Sequence, residues 1–144
     1  MATAVPIIGA WKLISFQIER SDGTVIYPFG EDAIGSIIYS ESGRFSAQAM
    51  RRARPQFAAG DRMQGTPEEI KASYEGVVSY FGPYDFDPDA GTVTHNVEGS
   101  LFPNWEGQAQ LRYFQLDGNR IRLSTPPMKW SGGEIVASLV WERT

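Results

Sequence analysis

Runs of alternating apolar and polar residues, each closed by a turn rich in glycine or proline, recur along this chain from residue 9 to residue 142. Alternation with a period of two puts successive side chains on opposite faces of a strand, so the pattern calls for sheet with one face against a core. Residues 9–20 form a long strand with Ile14, Phe16 and Ile18 as its apolar face. Ser21-Asp22-Gly23 then turns the chain, because Asp-Gly supplies the positive φ that a tight hairpin needs. Thr24–Tyr27 pairs back before Pro28. Ile34–Ser40 and Arg44–Met50 make the next hairpin around Glu41-Ser42-Gly43, with Phe45, Ala47 and Ala49 facing one way. Further strands are expected at Tyr84–Asp87, 92–98, 108–116, Arg120–Thr125 and Glu134–Glu142. In the last of these, Ile135, Ala137, Leu139 and Trp141 share a face.

One stretch breaks the alternation. Residues 51–65, with Arg51, Arg52 and Arg54, read as a loop. Thr66 then offers an N-cap, Pro67 suits the first helical position and Glu69 completes a T-x-x-E capping box. Ile70, Tyr74, Val77, Val78 and Phe81 fall on one face at helical spacing, and Gly82-Pro83 closes the segment. The spacing predicts a helix over 66–81 lying across one end of the sheet. Eight or nine strands in hairpin order with one inserted helix describe an all-β domain over residues 1–144, a closed antiparallel up-and-down barrel. Closure also removes exposed strand edges.

The rest of the composition narrows the chemistry. The chain has no cysteine and one histidine, which excludes a disulfide framework, a thiolate nucleophile and zinc ligation of His/Cys type. It carries no glycine-rich phosphate loop or nucleophile elbow, so no metal and no cofactor is implied. A net charge of −4 argues against a dedicated nucleic-acid binder. No apolar run approaches the ~18 residues of a membrane span, and residues 1–8 lack the basic start of a signal peptide, so a cytoplasmic location is expected. A homodimer through an outer face is compatible with the sequence, and nothing requires it. Four Trp, six Tyr and eight Phe exceed what a core of this size needs, and a cavity for a flat apolar molecule would use the surplus.

The site candidates gather around residues 92–116. Two strand-like runs are joined there by an apolar connection, Leu101-Phe102-Pro103-Asn104-Trp105, which must bury part of itself against the body of the domain. His95 shares a face with Val93 and Val97 and so points inward. It is placed either to act as an acid–base or ligand-binding group, or to serve as a core histidine bonded to backbone. Arg112 shares a face with Gln110 and Phe114; it is either an inward cation needing an anionic or carbonyl partner, or a solvent-facing strand residue. Glu98 is a partner for Arg112, but it falls on the strand face opposite His95 and makes no dyad with it. Asn104 and Trp105 offer an amide and a stacking surface, or Trp105 merely anchors its loop. Tyr39, Gln48, Tyr80, Tyr84 and Tyr113 are candidate lumen donors, although half-buried packing is the commoner use of Tyr. Arg44, with the three arginines of the loop, forms a basic cluster that reads as a solvated surface.

Gly9-x-Trp11 at the head of the first strand resembles the G-x-W that opens lipocalin-type barrels. With it come Tyr27-Pro28-Phe29-Gly30, Gly43-Arg44-Phe45-Ser46-Ala47-Gln48, Tyr80-Phe81-Gly82, Glu98-Gly99-Ser100-Leu101-Phe102-Pro103-Asn104-Trp105 and Val140-Trp141-Glu142-Arg143. Together these resemble the lipocalin-like domain proteins of bacteria and fungi over nearly the whole chain. The resemblance implies a barrel floor made by Trp11 with Arg143 laid on it. It also implies one of two activities: carriage of a small apolar or aromatic metabolite, or cofactor-free isomerase or cyclase chemistry of secondary metabolism. In the carrier, His95 and Arg112 would be polar anchors, Tyr39, Gln48, Tyr80, Tyr84, Glu98, Phe102, Asn104 and Trp105 would bind the molecule, and helix 66–81 with its preceding loop would be the lid. In the enzyme, His95 would be the acid–base group, with Arg112 or Tyr113 stabilising an oxyanion.

Overall fold

A computed structural model describes residues 5–144. Its strands are β1 (Gly9–Arg20), β2 (Val25–Ile26), β3 (Ile34–Tyr39), β4 (Arg44–Met50), β5 (Val77–Asp87), β6 (Thr92–Asn96), β7 (Gly99–Ser100), β8 (Ala109–Asp117), β9 (Arg120–Ser124), β10 (Met128–Trp130) and β11 (Gly133–Arg143). One helix, α1 (Pro67–Glu75), and a 3-10 turn at Pro103–Trp105 complete the chain. Eight strands run β1-β3-β4-β5-β6-β8-β9-β11 with every neighbour antiparallel, and β11 pairs back onto β1 to close the barrel. The short strands β2, β7 and β10 flank it by pairing with β1, β5 and β11.

The seam between β1 and β11 runs from Trp11 opposite Arg143 to Arg20 opposite Ile135, with a register slip between Leu13 and Ser15. The slip corrects the face assigned to β1. Ile14 is the extra residue of a bulge, so Trp11 and Leu13 point inward before it and Phe16 and Ile18 after it. Below the lumen, Trp11 is completely buried and its Nε1–H donates to the carbonyl of Ile7 at 2.9 Å. The Arg143 guanidinium lies 4.1 Å from the Trp11 ring centre and donates to the carbonyls of Ile8 and Pro6, each at 2.7 Å. One side chain thus fastens the end of the last strand to the segment before the first.

The helix is shorter than expected. It starts as read, with both arms of the capping box formed between Thr66 and Glu69, but it ends at Glu75. Val77, Val78 and Phe81 belong to β5, an 11-residue strand paired along its first half with β4 and along its second with β6. The spacing of these three residues suits a helix, yet pairing with β4 satisfies their backbone groups within the barrel wall, and β-branched and aromatic residues favour that outcome. Gly82-Pro83 lies inside this strand and does not close a helix. At Gly82 the backbone passes so near β6 that any Cβ would collide with the carbonyl oxygen of Asn96. Nor does α1 cover the barrel: none of its residues is buried, and Ile70 and Tyr74 are about half exposed. No helix among the described residues is long and apolar enough to cross a membrane.

Candidate functional site

The inward residues of β1, β3, β4, β5, β6, β8, β9 and β11 line a cavity of about 60 Å³. Its wall is mostly apolar: Phe16, Ile37, Ala47, Ala49, Leu123 and Leu139 among others. Val78, Trp105, Met128 and Trp130 separate it from an outer cleft of about 300 Å³, which the C-terminal end of α1, Phe102 and the β10–β11 turn border. An engineered apolar cavity that admits benzene measures about 150 Å³. The inner chamber alone is therefore too small for an aromatic ring, and a ring-bearing guest must move this partition or straddle it. Met128, flexible and polarisable, is the member best suited to yield.

His95 forms the polar centre of the wall. It is 1% exposed, and its ring stacks on Phe45 with centroids 4.1 Å apart and planes at 16°. Tyr39 Oη lies 2.6 Å from His95 Nε2, and Tyr80 Oη lies 2.9 Å from Nδ1. A neutral imidazole has one N–H and one lone pair, so one tyrosine donates to the ring, the other accepts from it, and one phenolic hydrogen is left over. Tyr39 is buried, and the only hydrogen bond of its hydroxyl among the described residues is to His95. If Nε2 carried the proton, the phenolic hydrogen of Tyr39 would be buried with no acceptor. Tyr80 lines the cavity and Tyr39 does not, so the arrangement that leaves the spare hydrogen where a guest can accept it has Tyr39 donating to Nε2 and His95 Nδ1–H donating to the Tyr80 oxygen. Burial, and secondarily the charge of Arg112, holds the His95 pKa well below its ordinary 6.5, and burial raises Tyr39 well above 10.0. His95 stays neutral.

Arg112, brought inward by β8, is only 7% exposed. Its Nη1 donates to the Leu111 carbonyl at 2.9 Å, and its guanidinium carbon sits 5.9 Å from the centre of the Trp105 ring. Trp105 in turn meets Tyr80 edge to face at 5.1 Å. The aromatic connection thus folds in through its tryptophan, whereas Leu101, Phe102 and Asn104 stay on the outside.

Several other candidates sit away from the lumen. Tyr113 is 46% exposed on the outer face of β8, which removes it as an oxyanion donor to anything in the cavity. Glu98 is exposed and bridges Arg44 at 2.8 Å, so it is no partner for Arg112. Gln48 touches the cavity, but its amide donates to Ser46 on the opposite face from Ala47 and Ala49. Tyr84 packs edge to face on Tyr39 and donates to the Ser40 carbonyl, behind the His95 group.

Two lining residues escaped the reading of the sequence. Trp141, 2% exposed, has its indole N–H buried without any hydrogen-bond partner, the one such side-chain atom among the described residues. Thr125 accepts the Ala137 N–H at 2.9 Å, which leaves its own hydroxyl hydrogen free. Trp141 was visible only as part of an apolar face, and no sequence signal marks Thr125.

The cavity therefore combines apolar walls with a few polar groups, Tyr80, Thr125 and Arg112, and with Trp141, whose indole N–H is buried without a partner. The family described as lipocalin-like domain matches residues 8–144. A 4'-hydroxy-3'-methoxypropiophenone carrier protein of Aspergillus oryzae is 34% identical over 105 residues, covering 68% of this chain and 95% of that protein. No solved structure matched.

Proposed function

Since this chain belongs to the lipocalin-like domain family, we propose that it is a carrier that holds a small aromatic molecule in its barrel. The observation that supports this most directly is the buried, unpartnered indole N–H of Trp141, a residue of the largely apolar cavity wall, since a guest that reached it would satisfy that donor. The name of the Aspergillus relative suggests the guest's type, an aryl ketone bearing ring oxygens. Such a molecule has a flat apolar body and acceptors at both ends, which suits donors spread over several strands. The isomerase or cyclase reading has less support, because both ring nitrogens of His95 are engaged by tyrosines and its pKa is depressed. Isothermal titration with 4'-hydroxy-3'-methoxypropiophenone, and with decanoate as an aliphatic control, tests the carrier reading. The expected result is a 1:1 complex with the ketone at micromolar Kd or tighter, with the ketone recovered unchanged. Absence of heat with the ketone up to millimolar concentration, or its conversion to another product, would overturn it.

A further inference from the structure

We propose that the barrel takes its guest as an oxyanion, a phenolate or a carboxylate, paired with Arg112, while a second, uncharged acceptor of the same molecule meets Trp141 Nε1–H. The proposal rests on the carrier reading and assigns the charge state and orientation of what is carried.

It begins with a missing counter-ion. Arg112 is almost wholly buried, yet the ion pairs among the described residues are Lys12–Glu142, Arg44–Glu98, Arg52–Asp32 and Arg120–Glu142, and none includes it. No Asp or Glu lines the cavity. The guanidinium has five N–H donors, and its recorded side-chain bond within the protein goes to the Leu111 carbonyl. A buried cation that has a carbonyl and the Trp105 ring beside it but no counter-ion is costly, and removal from water strengthens its attraction for any anion that reaches it. The other titratable groups nearby are His95, held neutral, and the phenols Tyr39 and Tyr80, so nothing in the wall supplies the missing negative charge.

The second observation is independent of the first. The Trp141 Nε1–H belongs to β11, a different strand, and is buried with no hydrogen-bond partner. Tyr80 and Thr125 add one free hydroxyl hydrogen each. The polar points of this wall are thus hydrogen-bond donors, one of them charged. Their complement is a guest with acceptors only: an ionised oxygen at Arg112 and a carbonyl or ether oxygen at Trp141. A phenol bound in this way breaks its O–H bond, leaves the electron pair on oxygen facing Arg112 and releases the proton to the buffer.

Three probes sharing one ring test this: 4'-hydroxy-3'-methoxypropiophenone, its O-methyl ether 3',4'-dimethoxypropiophenone, and 3,4-dimethoxybenzoate. Titrations are run below the pKa of the free phenol while the ultraviolet spectrum of the bound ketone is recorded. The phenolic ketone should show its phenolate band on binding, or the benzoate should bind, and at least one should exceed the ether by about tenfold or more. Which one does so separates a phenolate guest from a carboxylate guest. Arg112→Met should erase the preference and Arg112→Lys should keep part of it, whereas Trp141→Phe should weaken binding about fivefold without changing the order. The probe comparison on the unaltered protein stands even where a variant folds poorly. If the ether binds as tightly as both of the others, or Arg112→Met keeps the preference, the proposal is overturned while the carrier reading survives. Failure of all three to bind overturns both.

Discussion

Acidification from about pH 7.5 to about pH 5.5 should cost the protein on the order of 1 kcal/mol of folding stability through one side chain, His95. The ring is buried, and burial first, then the charge of Arg112, holds its pKa well below the ordinary value. The unfolded chain binds a proton near pH 6.5 and the folded chain does not. The stability contributed by the neutral ring is therefore complete above the unfolded pKa and is lost as pH falls, by about 1.4 kcal/mol per pH unit, until the folded pKa is reached. The loss is negligible at about pH 7.5 and reaches the order of 1 kcal/mol by about pH 5.5. The window is clean, because this is the single histidine of the chain and no other side chain of ordinary pKa titrates there. The two carboxylates with lowered pKa values, Asp22 and Glu69, lose their contributions only at lower pH, within and below the ordinary carboxylate range. Urea unfolding followed by tryptophan fluorescence gives the free energy at each pH, and His95→Gln serves as the control that should lose the slope. A wild-type stability that stays flat within about 0.3 kcal/mol, or a slope that persists in the variant, would refute the buried neutral imidazole.

Tyr39→Phe should lower stability by about 1–3 kcal/mol in the same urea assay, because His95 Nε2 would keep a buried lone pair with no donor. Arg143→Ala removes two hydrogen bonds to backbone carbonyls and the cation from the face of Trp11; a loss of about 2–3 kcal/mol is expected by thermal or urea unfolding. Thr66→Ala should weaken α1 by about 1 kcal/mol, seen as faster amide exchange in residues 69–75, yet leave the global midpoint nearly unmoved because the helix buries nothing.

The barrel was legible where alternation and turn chemistry agree. In β4, Phe45, Ala47 and Ala49 point inward as their spacing requires, and β11 does the same with Ile135, Ala137 and Trp141. Legibility failed where a residue's role depends on a strand distant in sequence. Val77, Val78 and Phe81 suit either period, and pairing with β4 decides between them. The bulge at Ile14 appears only against β11. At the site, parity within one strand was enough to turn His95 inward, whereas Arg112 stayed open between the lumen and the solvent until the fold buried it. Parity could not reveal that two tyrosines from β3 and β5 saturate the imidazole, that Glu98 bonds to Arg44 instead of Arg112, or that Trp141 lacks a partner. Each of those facts is a relation between strands.

The seam between β1 and β11 also bears on how the chain reaches this state. Every other barrel pairing joins strands one or two steps apart in sequence, and each closes a far shorter loop, even where α1 intervenes between β4 and β5. At the seam, the bond from Arg143 to Ile8 alone spans 135 residues. Closing so long a loop must precede any reward from the contacts it makes, which places folding among the slow all-β cases, on the order of milliseconds to seconds. On the ribosome, the inner hairpins can assemble while the inward face of β1 waits, uncovered on one side, for the last strand to emerge.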